Sequence, residues 1–114
     1  MRKDDRIFLQ HIIESIEKIE KFVKGISKKE FLKNELIQDA VIRRLEIIGE
    51  ATRHISQKLK KENLKIPWKE ISALRDKLIN QYFGVDLDLT WKVIEKDLPK
   101  LKKMLKEVVR KVKK

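Results

Sequence analysis

A chain of 114 residues with no cysteine and a formal net charge of +11 allows one domain (1–114) that buries roughly two-thirds of its unfolded surface, and it excludes disulfide frameworks, thiol nucleophiles and cysteine zinc sites. The positive surplus makes polyanions the first partners to consider. The longest run without a charged residue, Leu78 to Val85, is eight residues against the roughly twenty of a spanning helix, and no long apolar segment follows the N terminus; neither a membrane span nor a signal peptide is expected, and the expected location is cytoplasmic.

Apolar residues recur at helical spacing almost throughout, and alternation with period two does not persist. With only three Gly and two Pro, the pattern predicts an all-α, up-and-down helical bundle. The first helix is expected to start near Asp4 and Asp5, whose charge suits a helix N terminus, and to run to Lys24. Its stripe is Leu9, Ile12, Ile13, Ile16, Ile19 and Val23, and Gly25 ends it. Ser27 and Glu30 match a capping box, followed by a short helical turn through Phe31 and Leu32. The longest helix is expected from about Asn34 to Lys61, with two apolar rows: Leu36, Ala40, Ile47, Ala51, and Ile37, Val41, Ile48, Ile55, Leu59. Two rows make it the central helix. Gly49 in its interior costs about 1 kcal/mol relative to Ala, which a close helix crossing would offset.

Asn63 to Ile66 read as a linker, and Pro67 fits a first helical position. A helix from Trp68 to about Ile79 packs through Ile71, Leu74 and Leu78, and Gly84 closes the polar and aromatic segment after it. Asp86 or Asp88 caps a helix through Trp91 and Ile94. Pro99 is expected to kink or restart it. The basic last helix, 99–114, carries eight cationic residues against Glu107 alone. Such a face is ordinarily solvated; Lys102, Lys103, Lys106 and Arg110 are its candidates for RNA contact.

The two histidines, His11 and His54, lie on different helices without metal-site spacing, and they read as helix-surface residues. No phosphate-cradling glycine loop and no nucleophile elbow is present. One constellation stands out. Arg75 lies among lysines, and a guanidinium can grip a phosphate with two hydrogen bonds where an ammonium cannot. Its helix closes with Asn80 and Tyr82. By spacing alone the same segment reads as a helix end in which Asp76 pairs with a neighbour, Asn80 takes a left-handed cap and Tyr82 with Phe83 fills core.

Three segments, Asp39–Ala51, Trp68–Asp86 and Asp97-Leu98-Pro99, agree in order and spacing with one pattern. By them the chain resembles the HepT-like branch of the HEPN families, over nearly its whole length. The resemblance implies a bundle that dimerises through the helices carrying an R-x-x-x-x-H-x-Y motif, two copies of which form a metal-independent ribonuclease cleft. It implies a toxin paired with a minimal nucleotidyltransferase antitoxin, which silences it by transferring AMP to the motif tyrosine. Carried over, the arginine falls on Arg75, the following polar residue on Asp76 and the tyrosine on Tyr82. The histidine position holds Asn80.

That departure bears on chemistry. Metal-free RNA cleavage needs a group to take the 2′-hydroxyl proton, donors for charge on the phosphate and an acid for the leaving oxygen. Histidine suits proton transfer; asparagine does not titrate, although its amide can hold a phosphate or a water. The expectation is a ribonuclease fold with RNA as substrate, no metal, no cofactor and an impaired site. His54, next to Arg53 on the central helix, is not expected to take over. The alternatives are a non-catalytic homodimeric interaction protein that binds the nucleotidyltransferase antitoxin, and a nucleic-acid-binding bundle that works through its tail.

Overall fold

Leu9, Ile12, Ile16 and Ile19 recur every three or four residues, and in the computed structural model, which describes residues 2–80 and 84–112, they form the fully buried stripe of α1 (Lys3–Val23). Gly25 follows with φ +77°, a conformation that favours glycine. The capping box forms as expected: the Ser27 hydroxyl accepts from the Glu30 N–H, and Glu30 accepts from the Ser27 N–H. It opens α2 (Lys28–Lys33), which buries Phe31 completely, its ring 5.2 Å from that of Trp91.

Asn34 caps α3 (Glu35–Arg53) by accepting from the Ile37 N–H. α3 is the central helix, packing against α1 on one side and against the later helices on another. It is shorter than the sequence suggested. Thr52 bonds back to the Ile48 carbonyl, and Ser56 supplies a fresh cap whose hydroxyl accepts from the Leu59 N–H, so 57–62 become a separate helix, α4 (Gln57–Glu62). Side-chain competition for backbone groups of this kind commonly marks helix boundaries. The expected second apolar row is largely right, since Val41, Ile48, Ile55 and Leu59 are buried. Of the first row only Ala51 is buried: Leu36 is 81 % exposed, and Ala40 and Ile47 are half-buried.

Asp5 does more than complement a helix dipole. It is 3 % exposed and accepts from the Ser56 N–H at 2.8 Å and the Ser56 hydroxyl at 2.6 Å. A buried carboxylate with both oxygens bonded locks the start of α1 to the α3–α4 junction.

The expected helix from Trp68 to Ile79 is broken at Ala73 into α5 (Trp68–Ser72) and α6 (Leu74–Leu78). The Ser72 hydroxyl bonds back to the Trp68 and Lys69 carbonyls, and the Ser72 carbonyl accepts from Arg53 of α3 at 3.1 Å. The break thus lies where the chain faces α3. Ile71, Leu74 and Leu78 are buried as expected. α6 then leads into β1 (Ile79–Asn80), which pairs antiparallel with β2 (Gly84–Val85), Ile79 opposite Val85 and Asn80 opposite Gly84. This short ladder was absent from the helical reading. It also replaces the left-handed asparagine cap: among the described residues only Gly25 and Gly84 have positive φ.

Asp86 is the cap of α7 (Leu87–Lys92), accepting from the Leu89 N–H. Pro99 lies in the first turn of a new α-helix, so the expected restart is present, but without a break in the chain's helical path. The chain passes through a π-helical segment, Val93–Asp97, whose Leu98 N–H reaches the Val93 carbonyl, into α8 (Leu98–Val112). The wider turn accommodates a residue that has no N–H and whose ring crowds the preceding turn. Leu98, Leu101, Leu105 and Val108 of this helix join the common core.

The close crossing expected at Gly49 is present. A Cβ placed there would lie 2.9 Å from the Ser72 carbonyl oxygen, a backbone atom with little freedom to move. Gly49→Ala gains about 1 kcal/mol of helix propensity but forces overpacking that costs typically about 1–3 kcal/mol. The expected net is a loss of up to about 2 kcal/mol in urea unfolding; a variant more stable than the parent by the full propensity gain of about 1 kcal/mol would contradict the close crossing.

Candidate active site

The Gly49 crossing brings α3 against the α5–α6 break, and an open cleft of about 700 Å³ lies along that junction. Its walls come from α1, α3, α5 and α6. Arg75, the first motif residue singled out by sequence, stands in the first turn of α6 with its side chain 46 % exposed. Its Nε lies 3.2 Å from Glu46 Oε2 and its Nη1 3.6 Å from Asp76 Oδ1. The expected neighbours Arg75 and Asp76 thus share the cleft.

Arg53 adds a second guanidinium. It donates to the Ser72 carbonyl, approaches Glu50 at 3.5 Å and lies 3.9 Å from Asp76. Arg43 is a third lining cation. Among the described residues, three guanidinium groups therefore face three carboxylates, Glu46, Glu50 and Asp76. Exposed pairs of this kind contribute only about 0–1 kcal/mol each, so an incoming phosphate can exchange places with a carboxylate at small cost. The planar forks suit that exchange.

Both histidines are exposed at the helix surface, as expected. What the sequence did not show is that His11 and His54 both line this cleft with Arg75. The His54 ring is stacked on Phe8, with centroids 5.0 Å apart and planes 16° apart, and its Nε2 is 3.2 Å from Glu50 Oε1. His11 meets the edge of the same Phe8 ring at 6.2 Å. The Asp5–Ser56 lock accounts for the stack, because Phe8 is one turn from Asp5 on α1 and His54 two residues from Ser56. A signal was present in the sequence: Glu50, Arg53 and His54 lie within one helical turn directly after the glycine that marks the crossing.

The remaining candidates are Asn80, Tyr82 and the cations of the last helix. Asn80 is in β1, where its backbone pairs with Gly84. Tyr82, and with it the expectation of an AMP acceptor, lies outside the described residues. None of Lys102, Lys103, Lys106 and Arg110 lines the cleft. Lys102 pairs with Glu20 at 2.7 Å and Lys106 with Glu17 at 3.3 Å, so two of the four lie across the acidic side of α1. Among the described residues no three metal-ligating side chains converge, and no helix is long and apolar enough to cross a membrane.

The family model described as "Ribonuclease HepT-like" matches residues 12–108. The chain is 50 % identical over 109 residues to "Gamma-glutamylcyclotransferase and putative RNase MJ0434" of Methanocaldococcus jannaschii, covering 96 % of this chain and 49 % of that protein; it spans about half the length of that relative. It is 42 % identical over 111 residues to "Putative RNase TTE0752" of Caldanaerobacter subterraneus, covering 97 % of this chain and 99 % of the relative. To "Probable ribonuclease HepT" of Thermococcus cleftensis it is 45 % identical over 102 residues, covering 90 % of this chain and 93 % of the relative. No solved structure matches it. A helical bundle with Arg75 and Asp76 at an open cleft, together with a family model spanning most of the chain, leads to one conclusion: the protein belongs to the HepT-like ribonuclease family of HEPN proteins.

Proposed function

We propose that this chain is the toxin subunit of a toxin–antitoxin pair, an endoribonuclease that cleaves RNA without a metal in the cleft beside Arg75, at a rate lowered by Asn80. The observation that carries the reading is Arg75, half-exposed at the cleft and held only by exchangeable carboxylates, in a chain whose relatives are named as ribonucleases. Arg75 grips the scissile phosphate and stabilises the charge that builds on its oxygens. Asp76, 3.6 Å away, steadies the guanidinium. Asn80 occupies the proton-transfer position of the family motif and holds a phosphate or a water there. Two copies associate so that their motif helices face each other and RNA lies between them; the exposed residues of α8, Lys103 and Arg110 foremost, extend the contact to flanking phosphates. A nucleotidyltransferase partner silences the site by placing AMP on Tyr82, since the added negative charge and nucleoside oppose RNA entry.

The test is cleavage of tRNA and mRNA in EDTA. Arg75→Ala is expected to lower the rate about 10²-fold or more with the helical content intact. Equal cleavage by the parent and Arg75→Ala would overturn the reading. Absence of cleavage in the parent and in Asn80→His alike would instead point to the non-catalytic homodimeric interaction protein, which the balanced charge of the cleft also suits. A strictly monomeric species in solution scattering would remove the shared cleft.

A further inference from the structure

We propose that His54, oriented by Glu50, is the group in this cleft that takes the 2′-hydroxyl proton when RNA is cleaved; the assignment rests on the ribonuclease reading above and supplies the proton acceptor that Asn80 cannot be. His54 Nε2 lies 3.2 Å from Glu50 Oε1. A carboxylate only accepts, so Nε2 carries the ring proton and Nδ1 presents its lone pair. The stack on Phe8 holds the ring from α1 as Glu50 holds it from α3, while the side chain remains 56 % exposed and open to a substrate. Glu50 is thus a positioning residue.

A Glu and a His four apart on a helix are often no more than a surface pair. Here, however, the pair is continuous with the motif arginine through charged contacts: Glu50 to Arg53 at 3.5 Å, Arg53 to Asp76 at 3.9 Å and Asp76 to Arg75 at 3.6 Å. Both ends of that series line one cleft. A phosphodiester gripped by Arg75 and Arg53 therefore shares its space with the imidazole. In the reaction, Nδ1 takes the proton from the 2′-hydroxyl as the 2′-oxygen bonds to phosphorus. The bond from phosphorus to the 5′-oxygen breaks, its electron pair stays on that oxygen, and the oxygen takes a proton from water. The imidazolium returns its proton to solvent. The products are a 2′,3′-cyclic phosphate and a 5′-hydroxyl, with no other reactant consumed.

The test compares metal-free cleavage of single-stranded RNA by the full chain, His54→Gln, Asn80→His and the double variant, with thermal unfolding measured on each. His54→Gln is expected to lower kcat about 10²-fold or more with little change in KM. In the Asn80→His background the same substitution is expected to cost several-fold at most, because that background carries a second imidazole at the motif position. Glu50→Gln is expected to lower kcat in the parent and to have no additional effect once His54 is replaced. Equal losses in the two backgrounds would assign His54 to holding the fold, and no loss in either would place the proton elsewhere; each overturns the proposal while the ribonuclease reading stands. Should no member of the set cleave, Asn80→His included, the ribonuclease reading falls and His54 with it.

Discussion

Asn80→His is expected to raise metal-free RNA cleavage about 10²- to 10⁴-fold, the usual worth of a positioned general acid or base. Arg75, proposed to handle phosphate charge, is in place beside the cleft, paired to Glu46 and Asp76 through exposed contacts. The motif that the resemblance implies has a histidine at position 80, and an amide there neither accepts nor releases a proton at working pH. The substitution falls in the two-residue strand β1, outside any helix. Initial rates in EDTA on a defined RNA check it. The gain should vanish when Arg75→Ala is added, because proton transfer without charge stabilisation at phosphorus accelerates little. An Asn80→His protein that folds normally, binds RNA and still fails to exceed the parent would show that the missing histidine is not what limits this chain.

Phe31→Ala is expected to destabilise the fold by about 3–5 kcal/mol, the range for removing a fully buried phenyl ring. α2 is only six residues long, too short to persist without tertiary contacts. Phe31 is its one buried side chain, and its ring lies against Trp91 of α7. Removal leaves a cavity between α2, α3 and α7 that the Ser27–Glu30 capping box cannot offset. In a domain of this size the loss corresponds to roughly 10–25 °C in Tm. Leu36→Ala is the matching control, since Leu36 is 81 % exposed and surface substitutions usually stay within about 0.5 kcal/mol. Comparable shifts for the two would mean that Phe31 does not anchor α2.

What could be read from the chain alone was whatever its near neighbours decide. The capping box at Ser27, the cap at Asp86, the stripe of α1, its end at Gly25 and the positive φ at Gly84 each depend on residues within four positions. Gly49 was legible for a related reason, because a glycine inside an otherwise strong helix needs a neighbour to justify it.

Tertiary packing decided the rest. The break at Ala73 lies beside a contact that no local propensity contains, Arg53 donating to the Ser72 carbonyl from nineteen residues earlier in the chain. The end of α3 depends on Ser56 serving at once as a cap and as the partner of Asp5, fifty-one residues away. That lock aligns α1 with the α3–α4 junction and sets Phe8 against His54, turning two unremarkable histidines into neighbours of the motif arginine. Helical periodicity fixes which side of a helix is apolar, but it does not say which polar residues at the margin will meet across a crossing. Those meetings follow from how closely the helices approach, and here Gly49 and the Ser72 carbonyl set that approach.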